Sequence, residues 1–156
     1  MNNLLWMREA EVKHSRLAML AVVGWPLAEL FDKGIADAAG LPALLTNTGS
    51  SPSLLNGGLG KVDPLYWVAV TLLAGIVELQ SADTKEVKGN AYTPGDCDFD
   101  PLGFYPSDKE GQKAMQTKEL KHGRIAMMAI LGFVVQEALY RMPVVAETPV
   151  FFKPLF

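Results

Sequence analysis

The stretch "EVKHSRLAMLAVVGWPLAE" (11–29) decides the fold, because it is written twice. At 119–137 the chain reads "ELKHGRIAMMAILGFVVQE", and an offset of 108 superimposes Glu11 on Glu119, His14 on His122 and Arg16 on Arg124. The same offset places Gly24 on Gly132 and Glu29 on Glu137. Each copy opens with ionisable side chains and then runs apolar for three turns. Neither "LAMLAVVGWPLA" nor "IAMMAILGFVV" leaves a polar face for water, and helices apolar all round belong in a large core or in lipid. A chain of 156 residues is too short to wrap several of them in a soluble core.

A third apolar segment lies between the copies, so the sequence predicts helices over about 4–31, 64–81 and 112–141. Pro-, Gly- and Ser-rich connections separate them. No segment alternates with period two, so no sheet is expected. The three prolines of "MPVVAETPVFFKPLF" argue against a long helix at the end. The longest charge-free runs, 17–28, 64–77 and 125–136, hold 12, 14 and 12 residues, short of the ~20 that span a bilayer. Charge decides the matter. With three spans, ten basic residues, Arg8 through Arg124, fall on one side and four (Lys33, Lys61, Arg141 and Lys153) on the other, the bias that orients membrane proteins. The sequence therefore predicts an all-α membrane protein of three transmembrane helices, a single domain over 1–156, with the middle helix alongside the other two.

With three spans the copies run in the same direction, related by a two-fold axis along the membrane normal. Glu11 and Arg16 are five residues apart, roughly 140° around a helix, and cannot pair within it. Across the two-fold axis Glu11 can reach Arg124 and Glu119 can reach Arg16, locking the first and third helices into an X. Each carboxylate then meets the guanidinium that a low-dielectric interior demands. Ala18, Ala21 and Gly24, matched by Ala126, Ala129 and Gly132, would let the helices approach closely.

Packing does not explain Glu11-x-x-His14 and Glu119-x-x-His122, which set a carboxylate and an imidazole on one stripe. A di-iron carboxylate oxidase uses paired Glu-x-x-His motifs, but it needs four helices, and the arginine at +5 opposes a dication site. The other use is one axial ligand per metal, where a macrocycle fills the equatorial plane. Magnesium accepts carboxylate or amide oxygen, and an arginine keeps the site from becoming net negative. Charge −3 and pI about 5.4 offer no basic field for nucleic acid. Cys97 is the lone cysteine and cannot form an internal disulfide. The N-terminus has neither an apolar signal run nor a transit-like composition, which leaves no targeting or a presequence already removed.

The motifs "EVKHSRLAML" and "ELKHGRIAMM", with "DFDPLGF" (98–104) ahead of the second, resemble the light-harvesting chlorophyll-binding antenna proteins of plastids. The "KHGR" form resembles the red-lineage branch, the fucoxanthin–chlorophyll a/c proteins and red-algal antennae. The resemblance implies that Glu11, His14, Glu119, His122 and Gln136 are axial ligands of chlorophyll magnesium. It implies a further carboxylate ligand at Glu78, with Gln80 as a weaker candidate, and Arg16 and Arg124 as charge partners. Asp100, Pro101, Leu102 and Gly103 would cover the end of a carotenoid. The family often has a sister loop before the first helix; none is expected ahead of "MNNLLW", so the resemblance assigns no end contact to a second carotenoid. The implied cofactors are chlorophyll a, chlorophyll c and fucoxanthin or xanthophyll-cycle carotenoids. Implied partners are a photosystem core, with photosystem I favoured, neighbouring antenna subunits and membrane lipid, with no nucleic acid. The implied location is the plastid thylakoid membrane, multi-pass, with the N-terminus stromal. The implied function is light harvesting, not enzymatic. The alternatives are a photoprotective, energy-dissipating antenna, a transporter, and the di-iron oxidase.

Overall fold

A computed structural model of the chain describes residues 3–40 and 42–148; the end of the C-terminal tail and Lys153 of the basic tally lie outside them. Every regular element among the described residues is helical: α1 (Asn3–Ala39), α2 (Pro64–Lys88), α3 (Lys109–Tyr140) and the short α4 (Val144–Glu147), with 3₁₀ turns at Leu59–Lys61 and Gly89–Ala91.

The helices outrun their apolar segments, α1 through a stretch rich in alanine and α2 through one rich in charge. α1 continues past Phe31 through "DKGIADAA" until Gly40, whose φ of 65° ends it. Asp32 closes the following turn by accepting the N–H groups of Leu44 and Leu45 at 2.8 and 3.2 Å. α2 continues past Ser81 through "ADTKEVK", with Lys85 and Lys88 in its last turn, where the helix dipole favours cations. α3 starts at Lys109 because Asp108 caps it, accepting from the Gly111 N–H at 2.6 Å. α1 runs on through Pro26, which has no N–H to offer the Val22 carbonyl.

Two helices, α2 and α3, are long and apolar enough to cross a membrane, with mean hydropathies of 1.5 and 1.3 over their best 18 residues. α1 is not among them. Only 12 uncharged residues separate Arg16 from Glu29, so any window of that length takes in one polar flank or the other.

The chain divides into two compact units. One comprises Met1–Met19 with Val68–Met127, the other Leu20–Trp67 with Met128–Phe156. The first is centred on small residues: Ser15, Ala18 and Ala126 are buried. The second buries Ala36, Val62 and Val144 together with Ser50, Ser51, Ser53 and Glu137. Apolar burial is otherwise scant. Leu17, Leu20, Leu72, Ile125 and Met128 are each more than 60% exposed, and only 6% of the apolar window of α2 is buried. The chain exposes 11611 Å², far above the roughly 7,700 Å² of a folded soluble protein of this size. So much apolar surface is stable only if lipid or apolar ligands cover it.

The small-residue stripe works differently from the expectation at one end. A Cβ built on Gly24 or Gly132 meets nothing within 4 Å. The close approach lies earlier along the helices, at Ser15 and Gly123, among the flanks that carry the ion pairs.

Candidate functional site

In the first unit, α1 and α3 carry their charged flanks side by side. Arg16 Nε donates to Glu119 Oε1 at 2.7 Å, and Arg124 donates to Glu11 Oε1 through Nη2 at 2.7 Å and Nε at 2.8 Å. Both ion pairs therefore run between the two copies of the motif rather than within either. Arg16 is the more enclosed guanidinium, and its Nη1 also donates to the Gly95 carbonyl and lies 3.4 Å from Cys97 Sγ. Gly95 can supply that carbonyl because it lies on Val12: a Cβ there would be 2.6 Å from Val12 Cγ1, and its φ is 83°. The segment ahead of "DFDPLGF" is thus seated on the ion pair, which the sequence did not signal.

The two histidines repeat the symmetry at atomic level. His14 Nδ1 is 2.7 Å from the Ala10 carbonyl, and His122 Nδ1 is 2.8 Å from the Lys118 carbonyl. A carbonyl only accepts, so each Nδ1 carries the proton and each Nε2 keeps its lone pair. Both rings are exposed, on a helix surface that also exposes Leu17 beside His14 and Ile125 beside His122. An imidazole fixed in this way is ready to ligate a metal through Nε2.

The remaining expected ligands are less uniform. Glu78 on α2 is exposed and accepts from Lys13 Nζ at 2.6 Å, so it too is a neutralised carboxylate. Lys13 also contacts Glu9, which pairs with Lys85 and so ties α2 to α1. Gln80 donates its amide to the Cys97 carbonyl at 3.2 Å, leaving its own oxygen for a ligand. Gln136 falls in the second unit, half-buried, and its amide makes no hydrogen bond among the described residues. These donors fit chlorophyll magnesium, which needs one nitrogen or oxygen lone pair beside an apolar surface large enough for a ring.

The turn expected at Asp100 is present. Asp100 accepts from the backbone N–H groups of Phe104 at 3.0 Å and Tyr105 at 2.9 Å, and its carbonyl accepts from Gly103, whose φ is 65°. The N–H groups of Tyr105 and Phe104 hold the Asp100 carboxyl below the usual range. Burial pushes the neighbouring Asp96 up, but its bond to Lys88 at 2.7 Å and the Asp98 N–H outweigh this and hold it down.

Two features escaped sequence reading. Glu29 and Glu137, paired by the offset of 108, both accept from one donor in the second unit: Trp25 Nε1 is 3.1 Å from Glu29 and 2.8 Å from Glu137. Asn56 Nδ2 adds a bond to Glu137 at 3.1 Å, and Glu29 accepts from the N–H groups of Ser51 and Val145. The repeat was the signal for these carboxylates, yet nothing local named an indole as their common partner. The second feature is Arg8, whose Nη1 donates to Glu11 Oε2 at 2.8 Å.

Among the described residues no group of three or more His, Cys, Asp or Glu side chains could hold a metal ion, so the ligand sets of a di-iron oxidase are not assembled there.

Comparison with known proteins shows the family. The model of the family described as "Chlorophyll A-B binding protein" matches residues 2–138. A chloroplastic fucoxanthin-chlorophyll a-c binding protein of Isochrysis galbana is 34% identical over 145 residues, covering 85% of this chain and 64% of that protein. The light-harvesting complex stress-related protein 3.2 of Chlamydomonas reinhardtii is 34% identical over 142 residues, 83% of this chain and 51% of that protein. Chlorophyll a-b binding protein 6 of Arabidopsis thaliana is also 34% identical over 142 residues, 88% of this chain and 56% of that protein. The chain thus spans between half and two-thirds of these relatives.

Proposed function

This chain belongs to the chlorophyll A-B binding protein family, the light-harvesting antennae of plastids, on its red-lineage side, and on that premise we propose that it is an antenna subunit of the thylakoid membrane. It holds chlorophylls and carotenoids at fixed separations so that excitation passes to a photosystem, and it makes or breaks no bond. The observation that carries this reading is the doubled ligand pair. In both copies a carboxylate is neutralised by the arginine of the other copy, while the histidine three residues on has its Nδ1 bound and its Nε2 free among the described residues.

Residues 1–156 act as one antenna domain, with α1, α2 and α3 all crossing the bilayer and α1 and α3 forming the X. α1 is the one of the three without an apolar window of spanning length, and its ion pairs are what make it tolerable in lipid. The basic ends of the helices set the N-terminus on the stromal side. Chlorophyll supplies the absorption and the excited state; the protein supplies position. Glu11, His14, Glu78, Glu119, His122 and Gln136 each fix one magnesium, with Gln80 a further candidate. Arg16 and Arg124 neutralise the carboxylates and hold the helices together. The turn from Asp100 to Gly103 closes over the polar end of a carotenoid. In this branch the pigments are chlorophyll a and c with fucoxanthin or xanthophyll-cycle carotenoids. The partners are neighbouring antennae and a photosystem core, photosystem I above all.

An absorption spectrum of the purified protein tests this reading: strong blue and red bands with several chlorophylls per chain are expected, and a colourless protein refutes it. The stress-related relatives support a second reading, a subunit that dissipates excitation. Fluorescence lifetime separates the two, nanosecond emission marking a harvester and strongly shortened emission a quencher.

A further inference from the structure

The two carboxylates at the heart of the repeat are not equivalent. Glu119 has one oxygen, Oε1, engaged by Arg16, and Oε2 accepts nothing among the described residues. Glu11 has both engaged: Oε1 by Arg124 from the other helix, and Oε2 by Arg8, one turn earlier on its own helix, at 2.8 Å. The repeat shows why. The position matching Arg8 in the second copy is Gln116, whose amide is turned away to donate to the Tyr105 hydroxyl at 2.8 Å. An arginine stands over one ligand oxygen, and a neutral amide committed elsewhere stands in its place by the other.

From this difference, and resting on the ligand reading above, we propose that Arg8 is a gate on the Glu11 pigment site: it holds the ligand oxygen until magnesium displaces it, so the chlorophyll on Glu11 binds later and leaves sooner than the one on Glu119. The chemistry is a competition of two cations for one lone-pair region. A carboxylate oxygen shared with a guanidinium donates less to a metal than one left free. Arg8 suits the role because its side chain is 48% exposed and can swing into the headgroup region without cost to the core. Arg124 cannot yield in this way, because it joins α3 to α1. A subunit built like this loads in order, filling the Glu119 site before the Glu11 site.

The test refolds the full chain with chlorophyll a and a carotenoid, then follows chlorophyll loss in detergent by absorption, in wild type, Arg8→Gln and Arg8→Lys. In wild type one chlorophyll is expected to leave first. In Arg8→Gln its loss slows by roughly two- to fivefold, the range set by an exposed ion pair, and Arg8→Lys returns the rate toward wild type. An unchanged rate in Arg8→Gln, or faster loss, overturns the gate. The double variant Glu11→Leu/Arg124→Leu removes the site with both members of its interhelical pair, and the one charge left without its partner, Arg8, is half exposed. Should it keep every chlorophyll, the ligand reading itself fails; should it lose one while Arg8→Gln changes nothing, only the gate fails. Far-ultraviolet circular dichroism on each variant checks that the helices persist.

Discussion

Ser15 and Gly123 occupy equivalent places in the two copies and press directly on one another: a Cβ built on Gly123 would lie 2.2 Å from Ser15 Cβ. Ser15 is fully buried there, and its hydroxyl finds no hydrogen-bond partner among the described residues. The repeat therefore cannot be perfect at this point, because the contact has room for one side chain and not two. Gly123→Ala forces the helices apart or bends Ser15 aside, and overpacking of this kind costs about 1–3 kcal/mol. The double variant Ser15→Gly/Gly123→Ala, which exchanges the two roles, is expected to recover most of the loss. Thermal unfolding in detergent, followed by circular dichroism, measures both.

The two ion pairs should differ in weight. Side-chain exposure is 37% at Arg16 and 58% at Arg124, and Arg16 alone also bonds to Gly95. Breaking a fully buried pair costs ~3–5 kcal/mol, whereas exposed pairs contribute ~1 kcal/mol or less. Arg16→Leu is accordingly expected to cost about 2 kcal/mol and Arg124→Leu about 1 kcal/mol, each with the chlorophyll of the carboxylate it neutralises. Equal losses would remove the role given to the Gly95 segment. A full pigment load in Arg124→Leu would sink the shared-pair argument altogether.

These pairs were legible in the sequence because the repeat supplied the geometry: a spacing of five forbids pairing within a helix, and an offset of 108 names the partner. The helical class was legible for a similar reason, since periodicity is a property of the segment itself. Helix ends were not, because "ADTKEVK" and "DKGIADAA" are polar and helical at once, so hydropathy stopped short of Lys88 and Ala39. The Trp25 bonds and the Arg8 contact were also invisible. Each depends on a rotamer choosing one of several acceptors, and residue spacing does not fix a rotamer.

His122→Ala tests the tautomer argument. Its Nδ1 bond to Lys118 is local to one turn of α3, and the ring is exposed, so the fold should survive with less than 1 kcal/mol of loss. One chlorophyll per chain is expected to be lost, counted by pigment extraction against protein. A variant that unfolds, or that keeps its full complement, contradicts the reading of Nε2 as a ligand.

The Asp100 turn predicts a one-sided pH dependence. Backbone N–H groups of Tyr105 and Phe104 favour the ionised carboxylate, so its folded pKa lies below the unfolded value of about 3.9. A depressed carboxylate contributes its stability above the unfolded pKa and loses it as pH falls through the folded one. The turn should therefore be indifferent to pH between about 8 and 5 and loosen only below about 4. Amide exchange at Phe104 and Tyr105 reports this directly. Asp100→Asn should weaken protection at neutral pH and flatten the acid step; an acid step unchanged by that substitution places its origin elsewhere, with Asp96 and its Lys88 partner next in line.

Trp25 offers the cleanest separation of packing from hydrogen bonding in the second unit. Its indole N–H serves Glu29 and Glu137 together, while its ring lies 6.4 Å from Phe133 at an interplanar angle of 57°. Trp25→Phe keeps an aromatic contact and deletes the donor. Glu137 is only 2% exposed and would keep Asn56 as its remaining side-chain donor among the described residues. Leaving a buried acceptor short costs about 1–3 kcal/mol, so Trp25→Phe should destabilise by about 2 kcal/mol. Adding Glu137→Gln, whose amide can both donate and accept, should restore part of it. If the single and double variants melt together, the indole is there for its ring and not for its proton.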